Sequence, residues 1–172
     1  LYLPSTFQPT LRTFMATATN LGFPRIGAHR ELKRAVEGYW KGDFTKDELR
    51  ESARALRTSH WSTQQDLGLD VVPSNDFSYY DQVLDACAMV GAVPERFPWD
   101  GESVDLDTYF AMARGLQEKD LEGEESGVQA MEMTKWFDTN YHYIVPEFSR
   151  DTDFSLASTK PIDEYKEAKA EG

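Results

Sequence analysis

Three short apolar runs, each closed by glycine or proline, alternate along this chain with segments of helical period, and that alternation restricts the fold more than any other feature. Residues 20–27 (NLGFPRIG), 69–73 (LDVVP) and 141–146 (YHYIVP) combine β-branched or aromatic side chains with loop punctuation, so each reads as a strand running into a loop. Over residues 30–40, Leu32, Ala35, Val36 and Tyr39 recur at helical spacing, with Gly42 beyond them as a stop. A fuller start signal follows. Thr45 can cap while Glu48 reaches back, and Phe44 can pack on Leu49 as a hydrophobic staple. Leu49, Ala53, Leu56 and His60 then line one face, and Gly68 stands where a left-handed cap belongs. Tyr80, Val83, Leu84, Cys87 and Val90 repeat with the same period up to Gly91. Residues 105–114, 131–137 and 163–170 are predicted as further helices.

Strand and helix in alternation imply an α/β fold with parallel strands covered by helices. With about three strands and several helices, the expected architecture is an incomplete TIM-type (β/α) barrel, its amino-terminal portion, because a closed barrel needs about eight strands. Residues 1–19 are read as a leader or disordered extension, with Met15–Ala16 resembling a natural start and a transit peptide as the other reading. Residues 20–172 form the partial barrel domain. The acidic, glycine-punctuated stretch 117–127 (QEKDLEGEESG) is read as a solvated loop without a site.

The 172 residues carry a net charge of −12, which repels nucleic acid phosphates and anionic membrane surfaces. An anionic ligand therefore needs a local basic cluster. Only one such cluster is dense: Arg25, His29, Arg30, Lys33 and Arg34. Arg30, Lys33 and Arg34 stand at i, i+3 and i+4, on one face at a helix start, where free N–H groups and the helix dipole also favour an anion. The alternative is that these charges solvate the helix and pair with Glu31 and Glu37.

Metal chemistry has less support. Cys87 is the single cysteine, and His29, His60 and His142 stand far from it and from one another, so no ligand spacing is present and no metal site is assigned. His60 lies on the apolar stripe of its helix and reads as a core histidine. Asn75 and Asp76 follow the second strand-like run, where they could face a site or simply order the loop. No phosphate-cradling glycine loop, nucleophile elbow or nucleic-acid signature occurs. No run approaches the roughly 18 apolar residues of a membrane span.

Three long motifs in order sharpen the reading: LGFPRIGAHRELKRA (21–35), SNDFSYYDQVLD (74–85) and EMTKWFDTNYHYIVPEF (132–148), followed by KPIDEYKEAK near the carboxyl end. Together they resemble the amino-terminal part of cobalamin-independent methionine synthases, with a eukaryotic, plant- or fungus-like flavour, from about residue 20 to the end. The resemblance implies a cytosolic methyltransferase that moves the methyl group of 5-methyltetrahydropteroyltriglutamate to homocysteine. It implies two barrel-like domains, zinc as cofactor in the full-length enzyme but not bound by this chain, and no cobalamin. The zinc ligands, the homocysteine contacts and the proton-donating histidine of the family belong to the missing carboxy-terminal domain. Catalytic residues are thus not expected here, and this part alone is expected to be inactive. Family folate contacts carry over to Arg30, Glu31, Leu32, Lys33 and Lys135, all of which match. They point to binding of the glutamate tail, a string of carboxylates that suits the one dense cationic cluster. The other class kept open is a non-catalytic acidic protein-interaction module derived from a barrel segment.

Overall fold

The computed structural model describes residues 16–116 and 127–172. Of the expected leader or extension over residues 1–19, residues 1–15 lie outside them, as does most of the acidic stretch at 117–127; residues 16–19 are described, and Thr19 forms a bridge with Val71. Among the described residues are five helices and one two-stranded sheet, in a mixed α/β arrangement.

Helix α1 (Glu31–Lys41) buries Leu32, Ala35 and Val36. It ends where the text stops it: the N–H groups of Gly42 and Asp43 turn back to the carbonyls of Tyr39 and Gly38 at 3.0 and 2.9 Å. Helix α2 (Lys46–Asp66) opens on the expected capping box, with Glu48 N–H donating to Thr45 Oγ1 at 3.2 Å and Thr45 N–H donating to the Glu48 carboxylate at 2.7 Å. The Phe44 ring lies against Gly38 of α1. Leu49, Ala53 and Leu56 are buried on the predicted face, and Gly68 closes the helix with φ 81°. His60, half-buried, stacks on Phe23 with ring centroids 4.6 Å apart.

Helices α3 (Gln82–Met89) and α4 (Leu106–Arg114) each begin on an aspartate whose carboxylate accepts the first free N–H groups: Asp81 from Val83 and Leu84, Asp105 from Thr108. Helix α5 (Lys160–Glu171) covers the predicted 163–170 and starts three residues earlier, with proline in its first turn. Buried charge ties α5 to the rest. Lys160 meets Asp85 and Glu164 at 3.2 Å each, and Arg57 of α2 meets Glu167 at 2.8 Å. The core is continuous from α1 and α2 through Phe77, Leu84, Phe110 and Met112 to Met131 and Ile144.

The strands differ from expectation. Residues 131–137 are not helical: Met133–Lys135 forms strand β1, which pairs antiparallel with β2 (His142–Ile144) in the register Met133 to Ile144. A short apolar run carries no period that separates helix from strand, and here the partner strand decides. Residues 20–27 form no strand either. Pro24 has no N–H, and the neighbouring N–H groups find side chains instead of a ladder: Gly22 donates to Asn20 Oδ1 at 3.0 Å and Phe23 to Asp76 Oδ2 at 2.7 Å. Among the described residues parallel pairing is reduced to one bridge, Thr19 with Val71, in which Ala18 O accepts the N–H groups of Asp70 and Val71.

Candidate functional site

The loop before α1 is shaped by a glycine that leaves room for a carboxylate. Gly27 has φ 82°, and a Cβ there would fall on the Glu31 carboxylate and against Leu56. Glu31 uses that room to fold back over the helix start, where its Oε2 accepts the His29 N–H at 2.9 Å. Its carboxyl is held below the usual range, first by its own backbone N–H, next by that of His29, with His29 and Arg34 adding favourable charge. The anion position that the helix dipole offers is therefore occupied by the chain's own carboxylate. A second anion must be held by side chains.

Those side chains are available. Arg30, the residue that enters α1, sits in the left-handed region at φ 62°, ψ 38°, and is exposed. Such a conformation costs a non-glycine residue about 1–2 kcal/mol. Its carbonyl accepts the Arg34 N–H at 3.1 Å, and its own N–H reaches Gly27 O at 3.3 Å. Among the described residues, Arg30 and Arg34 form no ion pair, while Lys33 meets Glu37 at 3.6 Å with both side chains about half exposed. An exposed pair of that kind contributes well under about 1 kcal/mol and yields readily to a better partner. Leu32 is buried, so its side chain serves the core and the floor of the adjoining cleft.

That cleft, about 240 Å³, lies between the loop and α1 and is lined by Arg25, Ile26, Leu32, Lys33, Val36, Glu37, Trp40 and Tyr79. Arg25 is a member of the sequence cluster that the fold uses structurally: its guanidinium donates to the carbonyl of Tyr80. Tyr80 connects the two halves of the expected site. Its N–H donates to Tyr109 Oη at 3.2 Å, and its hydroxyl donates to Met133 Sδ at 3.4 Å, two residues before Lys135 on β1. Lys135 is exposed, stands opposite His142 in the hairpin, and forms no ion pair among the described residues. Tyr80 itself stood inside the second motif, but no residue pattern marked it as a connector.

Asn75 and Asp76 order their loop. Asn75 Oδ1 accepts Lys160 Nζ at 2.9 Å, and Asp76 holds the Phe23 N–H. A larger groove of about 1060 Å³ shares Trp40 with that cleft and is walled also by Tyr39, Phe44, Trp99 and Phe110. Asp105 and Asp107 line it and are bound by Lys46 at 2.8 and 2.6 Å, while Arg114 lies over the Trp40 ring.

The metal that the resemblance implies does not fit the residues present. Cys87 is buried, and burial pushes its thiol up to about 11, the reverse of what a zinc thiolate needs. His60 is packed on Phe23, and burial lowers its pKa. Among the described residues no three His, Cys, Asp or Glu side chains stand together as a ligand set. Nor is any helix among them long and apolar enough to cross a membrane.

Comparison with known proteins adds an independent line. Residues 17–172 match the family described as the cobalamin-independent synthase, N-terminal domain. A protein of Salinibacter ruber is 90% identical over 158 residues, covering 92% of this chain and 20% of its own length. Relatives from Syntrophotalea carbinolica and Bradyrhizobium diazoefficiens are 59% and 57% identical, each over 88% of this chain. All three are named 5-methyltetrahydropteroyltriglutamate–homocysteine methyltransferase. These relatives are bacterial, so the eukaryotic flavour read from the motifs is withdrawn. The chain spans about a fifth of the length of the curated relatives it matches.

Proposed function

The chain belongs to the cobalamin-independent synthase family as part of its N-terminal domain, and on that premise we propose that it holds the glutamate tail of a methylated folate for methyl transfer to homocysteine. The observation that carries this reading is Arg30. It is exposed, held in a costly left-handed conformation at the start of α1, one turn from Lys33 and without an ion-pair partner among the described residues. Strain persists where the surroundings over-determine it, and such positions gather at binding sites.

The chemistry follows from the charges. A γ-linked triglutamate offers several carboxylates, and Arg30, Lys33 and Lys135 offer donors that form charge-assisted hydrogen bonds with them. Glu31 contributes by closing the helix end and fixing the loop that carries Arg30. Leu32 supplies the apolar floor of the cleft beside Lys33. Zinc chemistry and homocysteine binding fall to a separate carboxy-terminal domain in this reading, and no step of it passes through the residues described here. Residues 20–172 are read as the first part of an incomplete (β/α) barrel, and the one parallel bridge among the described residues joins Val71 to Thr19, which stands just before that range. The cytosol is the compartment that suits one unpaired, buried cysteine.

An interaction module is the second reading, and the exposed, mutually packed Phe148 and Phe154 favour it. The two separate in one experiment. In the full-length protein, replacing Arg30, Lys33 and Lys135 together with Gly, Ala and Ala should weaken triglutamyl folate at least about tenfold and abolish the dependence on tail length, as read by titration calorimetry. Unchanged affinity with tail length still mattering overturns the folate reading.

A further inference from the structure

The largely buried ammonium of Lys160 has more acceptors around it than protons to give. At the start of α5 its Nζ donates to Asn75 Oδ1 at 2.9 Å and to Phe77 O at 2.6 Å, while Asp85 Oδ2 and Glu164 Oε1 each lie 3.2 Å away. An ammonium carries three N–H groups, and the two shortest contacts here go to one loop segment, 75–77, instead of to the two carboxylates. Holding α5 does not require them, because Arg57 of α2 already grips that helix through Glu167 at 2.8 Å, both side chains largely buried. Core packing does not require them either. Asn75 is exposed and stands in the left-handed region at φ 61°, and although the Phe77 ring is buried, it is the carbonyl that Lys160 takes.

What the segment holds in turn is the loop before α1. Asp76 Oδ2 accepts the Phe23 N–H at 2.7 Å, and a Cβ on Gly22 would stand 3.2 Å from the Asp76 Cβ, so the two stretches of chain meet closely there. Arg25 makes a second anchor by donating to Tyr80 O, three residues beyond Phe77. From these two points the chain runs into α1, where Ile26 O accepts the Leu32 N–H at 3.2 Å and Gly27 O accepts the Arg30 N–H at 3.3 Å. Polar contacts and short stretches of backbone thus lead without a gap from Lys160 to Arg30.

We propose that Lys160 is a positioning residue for the folate-tail site: by fixing Asn75 and Phe77 it fixes Asp76, and through the Phe23 N–H it sets the loop from which Arg30 projects. This role rests on the tail-binding reading and deepens it, adding a residue of α5 that acts without touching the ligand.

The test uses the full-length protein and two probes, 5-methyltetrahydropteroyltriglutamate and its monoglutamate, each titrated by calorimetry. The ratio of the two affinities is the readout, because a variant that is only less stable weakens both probes alike and leaves the ratio unchanged. Lys160→Met should lower the ratio about tenfold while the monoglutamate stays within about twofold of the parent. That variant leaves Asp85 and Glu164 without their ammonium and can fail to fold, so Asn75→Gly and Asn75→Asp form a second pair. Glycine keeps the φ but removes the acceptor and should lower the ratio about threefold, whereas aspartate keeps an acceptor and should restore it. An unchanged ratio in Asn75→Gly, or a loss that Asn75→Asp shares, overturns the positioning role, and a ratio that Arg30→Gly still lowers leaves the tail-binding reading standing. If the parent shows no preference for the longer tail, that reading fails and takes the positioning role with it.

Discussion

Asp81 Oδ2 accepts the backbone N–H of Ile144 at 3.1 Å, while its other carboxylate oxygen caps α3 through Val83 and Leu84 at 2.8 and 3.0 Å. One side chain, 1% exposed, thus joins the start of a helix to the inner end of the hairpin that bears Lys135. Burial raises its pKa despite the three N–H groups, so the hydrogen bonds offset only part of the cost of keeping the carboxylate charged.

Asp81→Ala should therefore cost more than a lost helix cap. A cap is worth about 1 kcal/mol, and leaving the buried Ile144 N–H unpaired adds about 1–3 kcal/mol. The expected loss is about 2–4 kcal/mol in urea unfolding. Asp81→Asn should cost less, because an amide oxygen can keep the cap although its NH₂ cannot accept from Ile144.

Arg30→Gly separates charge from conformation. Glycine accepts φ 62° without strain but loses more backbone freedom on folding, and the two effects are of similar size, so stability should stay within about 1 kcal/mol of the parent. Binding of triglutamate should still fall. A variant that melts early would mean that the guanidinium holds the fold rather than a ligand.

The hairpin turn offers a matched pair. Asp138 has φ 59°, so Asp138→Gly should be neutral or slightly stabilising, whereas Asp138→Val places a β-branched residue in the left-handed region and should cost about 1–2 kcal/mol. Amide exchange at Thr139 and Tyr141, whose N–H groups close the turn and the segment after it, would report the difference locally.

Cys87 should be inert in the folded protein. It is 3% exposed, and burial pushes its thiol up to about 11, so at pH 8 very little thiolate is present and access is closed. A thiol reagent should modify it only in denaturant. Rapid native labelling would show that the α3 face opens.

The same contrast between local and distant causes explains what the text of the chain revealed. Helix starts were legible because caps are local: Thr45 with Glu48 stands three residues apart, and the pattern is complete within one turn. Strand β1 was not, since three residues became a strand only by meeting Ile144, Tyr143 and His142, and the same apolar letters suit a helix equally well. At the site, Arg30 and Lys33 were visible as the one dense cationic group in an acidic chain. That Glu31 folds back over the helix end was hidden, because it depends on the space beside Gly27. The role of Tyr80 was hidden for the same reason, being set by Arg25, Tyr109 and Met133 together.

Acid should loosen the segment that follows the hairpin's inner end first through Glu147. Arg96 donates to both of its oxygens, Nη1 to Oε2 at 2.6 Å and Nη2 to Oε1 at 2.7 Å, while Arg96 Nε holds Gln129 O at 3.0 Å. The Arg96 hydrogen bonds hold the Glu147 carboxyl below its usual 4.5, so the folded state keeps the charge that the unfolded chain gives up near that pH. Stability from this pair is then fully present above 4.5 and lost as pH falls through the lower, folded value. Both side chains are 35% exposed, which limits the contribution to about 0.5–1 kcal/mol after screening. A double-mutant cycle of Arg96→Ala and Glu147→Gln should give a coupling of that size at pH 7, smaller in 1 M salt and shrinking as the pH is lowered below 4.5. Asp81 works in the opposite sense, its raised value favouring the folded state as pH falls, so the cycle isolates a slope that the parent's own acid curve partly conceals. A coupling that persists undiminished at low pH would mean that Arg96 is held by its guanidinium lying over the Phe97 ring, 4.6 Å from the ring centroid, and not by the charge of Glu147.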